Sequence, residues 1–277
     1  MTTNRQTIAI TDPADALVAA YRDIRERDLV GRQGRFVAEG TVVLRMLAAH
    51  HGGAQGFAAE SVLVLENRVA GVADILARFP EDVPVYTATS EVLDAIAGFP
   101  MHRGVLAIGR RSEPPTLAAQ IEALPERALV VVAAGISNHD NIGSIFRNAA
   151  GFGASLMVLD ETCCDPLYRK ALRVSVGSVL SVPYVREGTT LAGLEALQAA
   201  GFAVWGLSPS GECEIGDVDQ TQRIALVLGT EGEGLPETIM QRFRTARVAQ
   251  APGLDSLNVA TASGIALYSI AIRNGFI

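Results

Sequence analysis

Residues 141–153 read NIGSIFRNAAGFG, with Ile142, Ile145, Phe146, Ala149 and Ala150 at i, i+3, i+4, i+7 and i+8. That spacing predicts an amphipathic helix with one buried face. At 100° per residue, Arg147 stands about 130° from the centre of the stripe, so core packing does not account for it. The position calls for a partner outside the helix. Two further stretches are equally distinctive, LVLGTEGEG over 226–234 and LDSLNVATASGIALY over 254–268.

Around these stretches the chain alternates. The runs ALVVVAA (128–134), SLMVLD (155–160), FAVWGL (202–207) and IALVLG (224–229) are continuously apolar and separated by helical segments, the pattern of strands in a parallel sheet buried on both faces. Nearer the N-terminus, SVLVLE (61–66), VPVYTA (83–88) and GVLAIG (104–109) alternate with helical stripes, which predicts a second α/β unit. Between the two, RRSEPPTLAAQ (110–120) carries Pro114 and Pro115 and breaks all periodicity. The expected organisation is a small first domain over 1–112, a linker over 113–124 and a larger domain over 125–277. Ligands of parallel sheets bind beyond the carboxyl ends of the strands, so the loops after Ala134 and Leu228 are where chemistry is expected.

Composition narrows the function classes. The 277 residues are 49% apolar and 19% charged, enough for two folded domains and too apolar for disorder. No apolar run approaches the roughly 18 residues needed to span a bilayer, and MTTNRQTIAI lacks the layout of a signal peptide. The expectation is a soluble cytoplasmic protein without a membrane partner. Cys163, Cys164 and Cys213 form no CxxC pair and leave an odd count, which argues against a disulfide framework or a zinc site. A net charge of −7 counts against nucleic-acid binding. Its distribution counts the other way: Arg22, Arg25, Arg27, Arg32 and Arg35 share one segment, Arg110 and Arg111 are adjacent, and Arg169, Lys170 and Arg173 form a third group. Lys170 is the only lysine. Arginine's planar fork suits bidentate phosphate contacts, although genomic base composition accounts for the same bias, and Asp23, Glu26 and Asp28 make the first group an ordinary solvated helix face.

Gly229, Gly232 and Gly234 follow the order GxxGxG, which is neither the dinucleotide fingerprint nor a P-loop. What remains is a strand ending in a glycine-rich turn, with Glu231 projecting from it and Pro236 opening the next helix. Residues 257–272 carry no charge, and Ala260, Ala262, Ser263, Gly264 and Ala266 let another backbone approach, so a buried helix is expected. Asp255 and Ser256 read as its N-cap, with Asn258 one turn in and facing solvent. A helix start bearing Ser256 and Asn258 also suits a ligand carboxylate or oxyanion. His139 precedes Asp140, but no nucleophile elbow or zinc-binding helix accompanies it, and His102 reads as packing at a strand start.

Together the three stretches resemble the motifs of the SpoU (TrmH) family of the SPOUT superfamily, S-adenosylmethionine-dependent RNA ribose 2′-O-methyltransferases. NIGSIFRNAAGFGA is similar to the first motif, LVLGTEGEGL to the second and SLNVATASGIALY to the third. DPLYRKALRVSVGS (165–178) is similar to the connector between them, and FVAEGTVVL (36–44) with MHRGVLA (101–107) resembles the ribosomal-protein-like substrate-binding domain of many members. The resemblance implies an α/β fold whose C-terminal SPOUT domain has a parallel sheet and a deep trefoil knot, an exception to the rule that chains do not thread their own loops. It also implies a homodimer with RNA crossing the interface, and S-adenosylmethionine held by Gly229, Thr230, Gly232, Val248 and Leu257. Arg147 matches the essential arginine, and Asn141, Glu231, Ser256 and Asn258 match motif residues around the reacting atoms. No metal is expected. The chain departs from the family pattern at Ala249 and Gln250, where many members open the third motif with proline and methionine.

A guanidinium is a poor base, so Arg147 is expected to hold a phosphate and stabilise the developing alkoxide while Ser256, Asn258 and Asn141 orient the donor and the attacking oxygen. The extra N-terminal domain favours ribosomal over transfer RNA, because it can grip structured RNA away from the reacting nucleotide. The alternatives are a tRNA ribose methyltransferase, a non-catalytic RNA-binding assembly factor of the same fold, and, from another class, a nicotinamide-dependent oxidoreductase, which the missing GxGxxG disfavours.

Overall fold

The computed structural model describes residues 5–22, 34–98, 100, 101, 103–253 and 255–277. They fall into two compact units, one from Met1–Pro114 with Leu167–Ser181, the other from Pro115–Pro166 with Val182–Ile277. The first division follows the paired prolines. The expected linker over 113–124 does not extend past them: Thr116 caps the backbone N–H of Ala119 and starts a helix over Leu117–Glu122, and Leu117 enters the core of the second unit. The excursion over Leu167–Ser181 differs from the expected domain limits and has a packing cause. Gly177, at φ 81°, leaves its side-chain space to Met46, and Val179 and Leu180 are fully buried.

In the first unit, β1 (Ile8–Ala9), β2 (Arg35–Glu39), β3 (Phe57–Leu65), β4 (Val85–Ala88) and β5 (Val105–Arg111) form one sheet in the order β1-β4-β3-β5-β2. β3 pairs parallel with β4, and β5 pairs antiparallel with β2 and β3. The three strands expected from the sequence are β3, β4 and β5. The arginine groups meet carboxylates: Glu39, nearly buried, lies 3.7 to 3.9 Å from Arg103, Arg169 and Arg173, while Glu60 pairs with Arg35 and Arg110. Arg111 stacks over Phe57. Arg35 is on a strand and not on a helix face; Arg25, Arg27, Arg32, Asp23, Glu26, Asp28 and His102 lie outside the described residues.

The second unit holds a seven-stranded, wholly parallel sheet of β6 (Ala128–Ala133), β7 (Leu156–Leu159), β8 (Tyr184–Arg186), β9 (Ala203–Leu207), β10 (Cys213–Glu214), β11 (Arg223–Leu228) and β12 (Arg244–Arg247). Its order is β10-β12-β9-β11-β6-β7-β8. From β6 the chain builds outward through β7 to β8, then crosses to β9 on the far side and returns with β11 beside β6, Leu226 opposite Val131. That reversal makes a topological switch point, and the carboxyl ends of β9 and β11 adjoin it. Every residue of β6 is buried.

The helix His139–Gly151 buries Ile142, Ile145, Phe146 and Ala149, and Phe146 meets Tyr184 edge-on at 5.4 Å. Ala150, counted in the stripe from sequence, is exposed. Each large apolar side chain on that face contributes about 1.5–3 kcal/mol. The C-terminal helix Val259–Asn274 packs on this helix through small residues: Asn148 Nδ2 donates to the Ala260 carbonyl at 2.8 Å and to Ser263 Oγ at 3.0 Å. A methyl group added at Gly264 would lie 3.2 Å from Asn148 Nδ2. The C-terminal helix is not buried all round as expected, since Ile265, Tyr268 and Ile272 are exposed.

Candidate functional site

Beyond the carboxyl ends of β9, β11 and β12, the chain encloses a cavity of about 520 Å³ within the second unit, closed on one side by residues 255–259 at the start of the C-terminal helix. Residues 228–235 form its longest wall. There Thr230 and Gly234 exchange two backbone hydrogen bonds of 3.2 Å, pinching the loop into a bend. A methyl group at Gly229 would fall 2.4 Å from the Gly234 carbonyl carbon, and Gly232 and Gly234 have φ of 103° and 71°. Close approach and positive φ together require glycine. The result is backbone, not side chain, presented along this wall.

A hydrogen-bonded triangle locks the mouth of the bend to two helix starts. Asn258 Oδ1 accepts from the backbone N–H groups of Ala260 and Thr261 at 3.0 and 3.2 Å, and its Nδ2 donates to Asn141 Oδ1 at 3.0 Å and Glu231 Oε1 at 3.1 Å. Asn141 Nδ2 donates to the same Glu231 oxygen. Asn258 thereby uses both acceptor and both donor positions of its amide. The N-cap of the C-terminal helix is Asn258, not the expected Asp255 or Ser256, because its amide oxygen reaches two free N–H groups at once. Asp255 and Ser256 are left to line the cavity.

The loop after β6 is held from behind. Asp160 accepts from Gly135 N at 3.0 Å, Thr162 N at 3.0 Å, Thr162 Oγ1 at 2.7 Å, Cys163 N at 3.0 Å and Thr190 Oγ1 at 2.5 Å. Burial pushes its carboxyl up, but the bonds from Thr190, Thr162, Cys163 and Gly135 outweigh it and hold the group below its ordinary range. Burial also pushes the neighbouring thiols up, Cys163 to about 12 and Cys164 to about 11, so both stay protonated and poorly nucleophilic.

Of the residues singled out in the sequence, Gly229, Thr230, Glu231, Gly232, Val248, Ser256, Leu257 and Asn258 line the cavity. Asn141 borders it through the triangle. Arg147 does not reach it: the side chain is exposed on the outer face of its helix, with no hydrogen-bond or ion-pair partner among the described residues. The loop after Ala134 contributes only indirectly, through the helix that carries Asn141. Sequence reasoning missed Ser208, Pro209, Ser210 and Met240, which also line the cavity, as does Gln250, singled out only as a departure from the family pattern. The first three follow β9, whose carboxyl end lies between β11 and β12; applying the strand-end rule to every apolar run would have found them.

Comparison with known proteins points to one family. A model of the SpoU rRNA Methylase family matches residues 128–268. An uncharacterized tRNA/rRNA methyltransferase of Mycobacterium bovis is 36% identical over 269 residues, covering 94% of this chain and 90% of that protein. The 23S rRNA (guanosine-2′-O-)-methyltransferase RlmB of Xanthomonas campestris is 28% identical over 190 residues, 67% of this chain and 76% of its own length. Among solved structures, an AdoMet-bound rRNA methyltransferase from Sinorhizobium meliloti superposes with a TM-score of 0.77 at 25% identity, over 96% of this chain and 98% of that one.

Proposed function

The chain belongs to the SpoU rRNA methylase family, and from that premise we propose that it transfers a methyl group from S-adenosylmethionine to a ribose 2′-hydroxyl of ribosomal RNA. The observation that carries the reading is the cavity at the switch point of the parallel sheet, walled by a glycine bend and locked by Asn141, Glu231 and Asn258. About 520 Å³ lies within the range of small-molecule sites, and the side-chain space missing at Gly229 lets backbone form the wall. The residues present fit a nucleoside-bearing donor.

When bound, S-adenosylmethionine supplies a sulfonium methyl carbon to the attacking oxygen and departs as the thioether while the hydroxyl proton is lost. Gly229, Thr230 and Gly232 would hold the donor by backbone, Val248 and Leu257 would pack against it, and Ser256, which lines the same cavity, would orient the attacking oxygen. Glu231, fixed by two amide N–H groups, keeps its second oxygen available to orient a donor hydrogen or take up the proton. Arg147, exposed and away from the cavity of its own protomer, suits a role on the RNA, clamping a phosphate, and would stabilise the developing alkoxide only at the cavity of a second copy. Positioning of this kind supplies much of the acceleration in such transfers.

A homodimer belongs to the same reading: the exposed Ile265, Tyr268 and Ile272 fall on one face of the C-terminal helix, ready for a second copy. So does the trefoil knot that the family resemblance implies. Ribosomal RNA is favoured over transfer RNA because the solved rRNA methyltransferase matches this chain across both units. The test is to map ribose methylations in ribosomal and transfer RNA from cells with and without the gene, beside the Arg147→Ala protein. The expected result is one missing 2′-O-methyl in ribosomal RNA, a loss of turnover on the order of a thousandfold in the variant and donor affinity within twofold of the parent. A missing mark on tRNA or on a base, or near-normal turnover without the arginine, overturns the assignment.

A further inference from the structure

Gln250 brings to the cavity a buried amide oxygen that no described residue satisfies. It lines the cavity two residues beyond Val248, yet its amide oxygen is shut off from water with no hydrogen-bond partner among the described residues. Buried polar atoms are almost always paired, so an orphan oxygen beside a ligand cavity marks a bond that the ligand completes. The last torsion of a glutamine is soft, and a turn about it carries the amide toward the cavity. Part of the lining is apolar, with Leu235, Met240, Val248 and Leu257 in the same cavity. Such walls suit a flat base, and an amide offers a donor and an acceptor side by side, the pairing that glutamine makes with the edge of adenine.

We infer that Gln250 reads the adenine of the methyl donor, its amide oxygen accepting from the exocyclic amine. It is a specificity-determining residue that the motif pattern alone does not assign, and the inference rests on the cofactor reading above. The probes are S-adenosylhomocysteine and S-inosylhomocysteine, which differ in having an amine or an oxo group at that position, titrated calorimetrically into the wild-type protein and the Gln250→Ala and Gln250→Glu variants. Wild type is expected to prefer the adenosyl compound at least tenfold. Gln250→Ala should lose about tenfold for the adenosyl compound, 1.4 kcal/mol, with affinity for the inosyl compound within twofold. Gln250→Glu keeps the acceptor and should retain adenosyl binding. Equal weakening of both ligands by Gln250→Ala, or no weakening of either, overturns the inference while leaving the cofactor reading intact. Failure of the wild-type protein to bind S-adenosylhomocysteine removes the cofactor reading and this inference with it.

Discussion

Two carboxylates stand beyond the carboxyl ends of the same parallel sheet and are treated in opposite ways. Asp160, after β7, is 7% exposed and surrounded by five donors from four residues. Glu231, after β11, is exposed and receives two amide N–H groups on a single oxygen. A carboxylate has about four lone-pair sites; the first is saturated by its own chain and the second is half used. Saturation is what structure needs, and an unfilled, well-oriented oxygen is what a ligand or a proton in transit needs. The contrast separates scaffold from site on one sheet edge without reference to any relative.

The largest effect expected from that contrast is on stability. Asp160→Ala leaves the N–H groups of Gly135, Thr162 and Cys163 and two hydroxyls without their shared acceptor, and should lower unfolding stability by about 4 kcal/mol, read from the urea midpoint. Methyl transfer per folded molecule should change only a few-fold. The sign with pH follows from the lowered folded-state carboxyl. Its contribution is fully present above the unfolded-state value and fades as pH falls through the folded one. The stability gap between wild type and Asp160→Asn should therefore be widest near neutrality and close under acid, and a gap that widens on acidification would break the comparison.

Next in size is Glu231→Gln. The amide keeps the shape but offers one acceptor, so the triangle can survive while the free oxygen is lost or becomes a donor. Turnover should fall about a hundredfold, about 2.7 kcal/mol of barrier, with the urea midpoint unchanged. A variant of normal activity would place Glu231 with Asp160 among the scaffold residues.

How much of this was legible in the sequence depends on what each residue must satisfy. Four of the seven strands of the second unit, β6, β7, β9 and β11, stand out as continuous apolar runs because both faces of each are covered. β12 does not: its sequence is RTAR, and its charges are disposed of locally, Arg244 over Trp205 at 4.0 Å and beside Asp219, Arg247 on Glu214 at 2.8 Å. β8 and β10 are three and two residues long, too short for any period to show. In the other unit β3, β4 and β5 were equally plain, whereas β1, two residues long, and β2 were not. In the site, the glycine bend and the helix start were visible as composition, but the cap fell on Asn258 because Asn141 and Glu231, 117 and 27 residues away, hold it there. Such a triangle has no local signature. The short excursion 167–181 into the first unit is invisible for the same reason, its cause being a space beside Met46.

Asn258 is where scaffold and site meet, so it sharpens the comparison most finely, through the smallest effect. Asn258→Asp keeps an oxygen for the N–H groups of Ala260 and Thr261, and aspartate caps as well as asparagine. It removes both donors from the triangle and sets a second carboxylate against Glu231. Asn258→Ala removes cap and donors together, at about 1 kcal/mol for the cap. If the residue served only the helix, the aspartate variant would match wild type in both urea midpoint and turnover. Because its Nδ2 also positions Glu231, Asn258→Asp should hold the helix, with the urea midpoint unchanged, yet lower kcat about tenfold. A kcat for this variant equal to that of wild type would assign Asn258 to the scaffold alone.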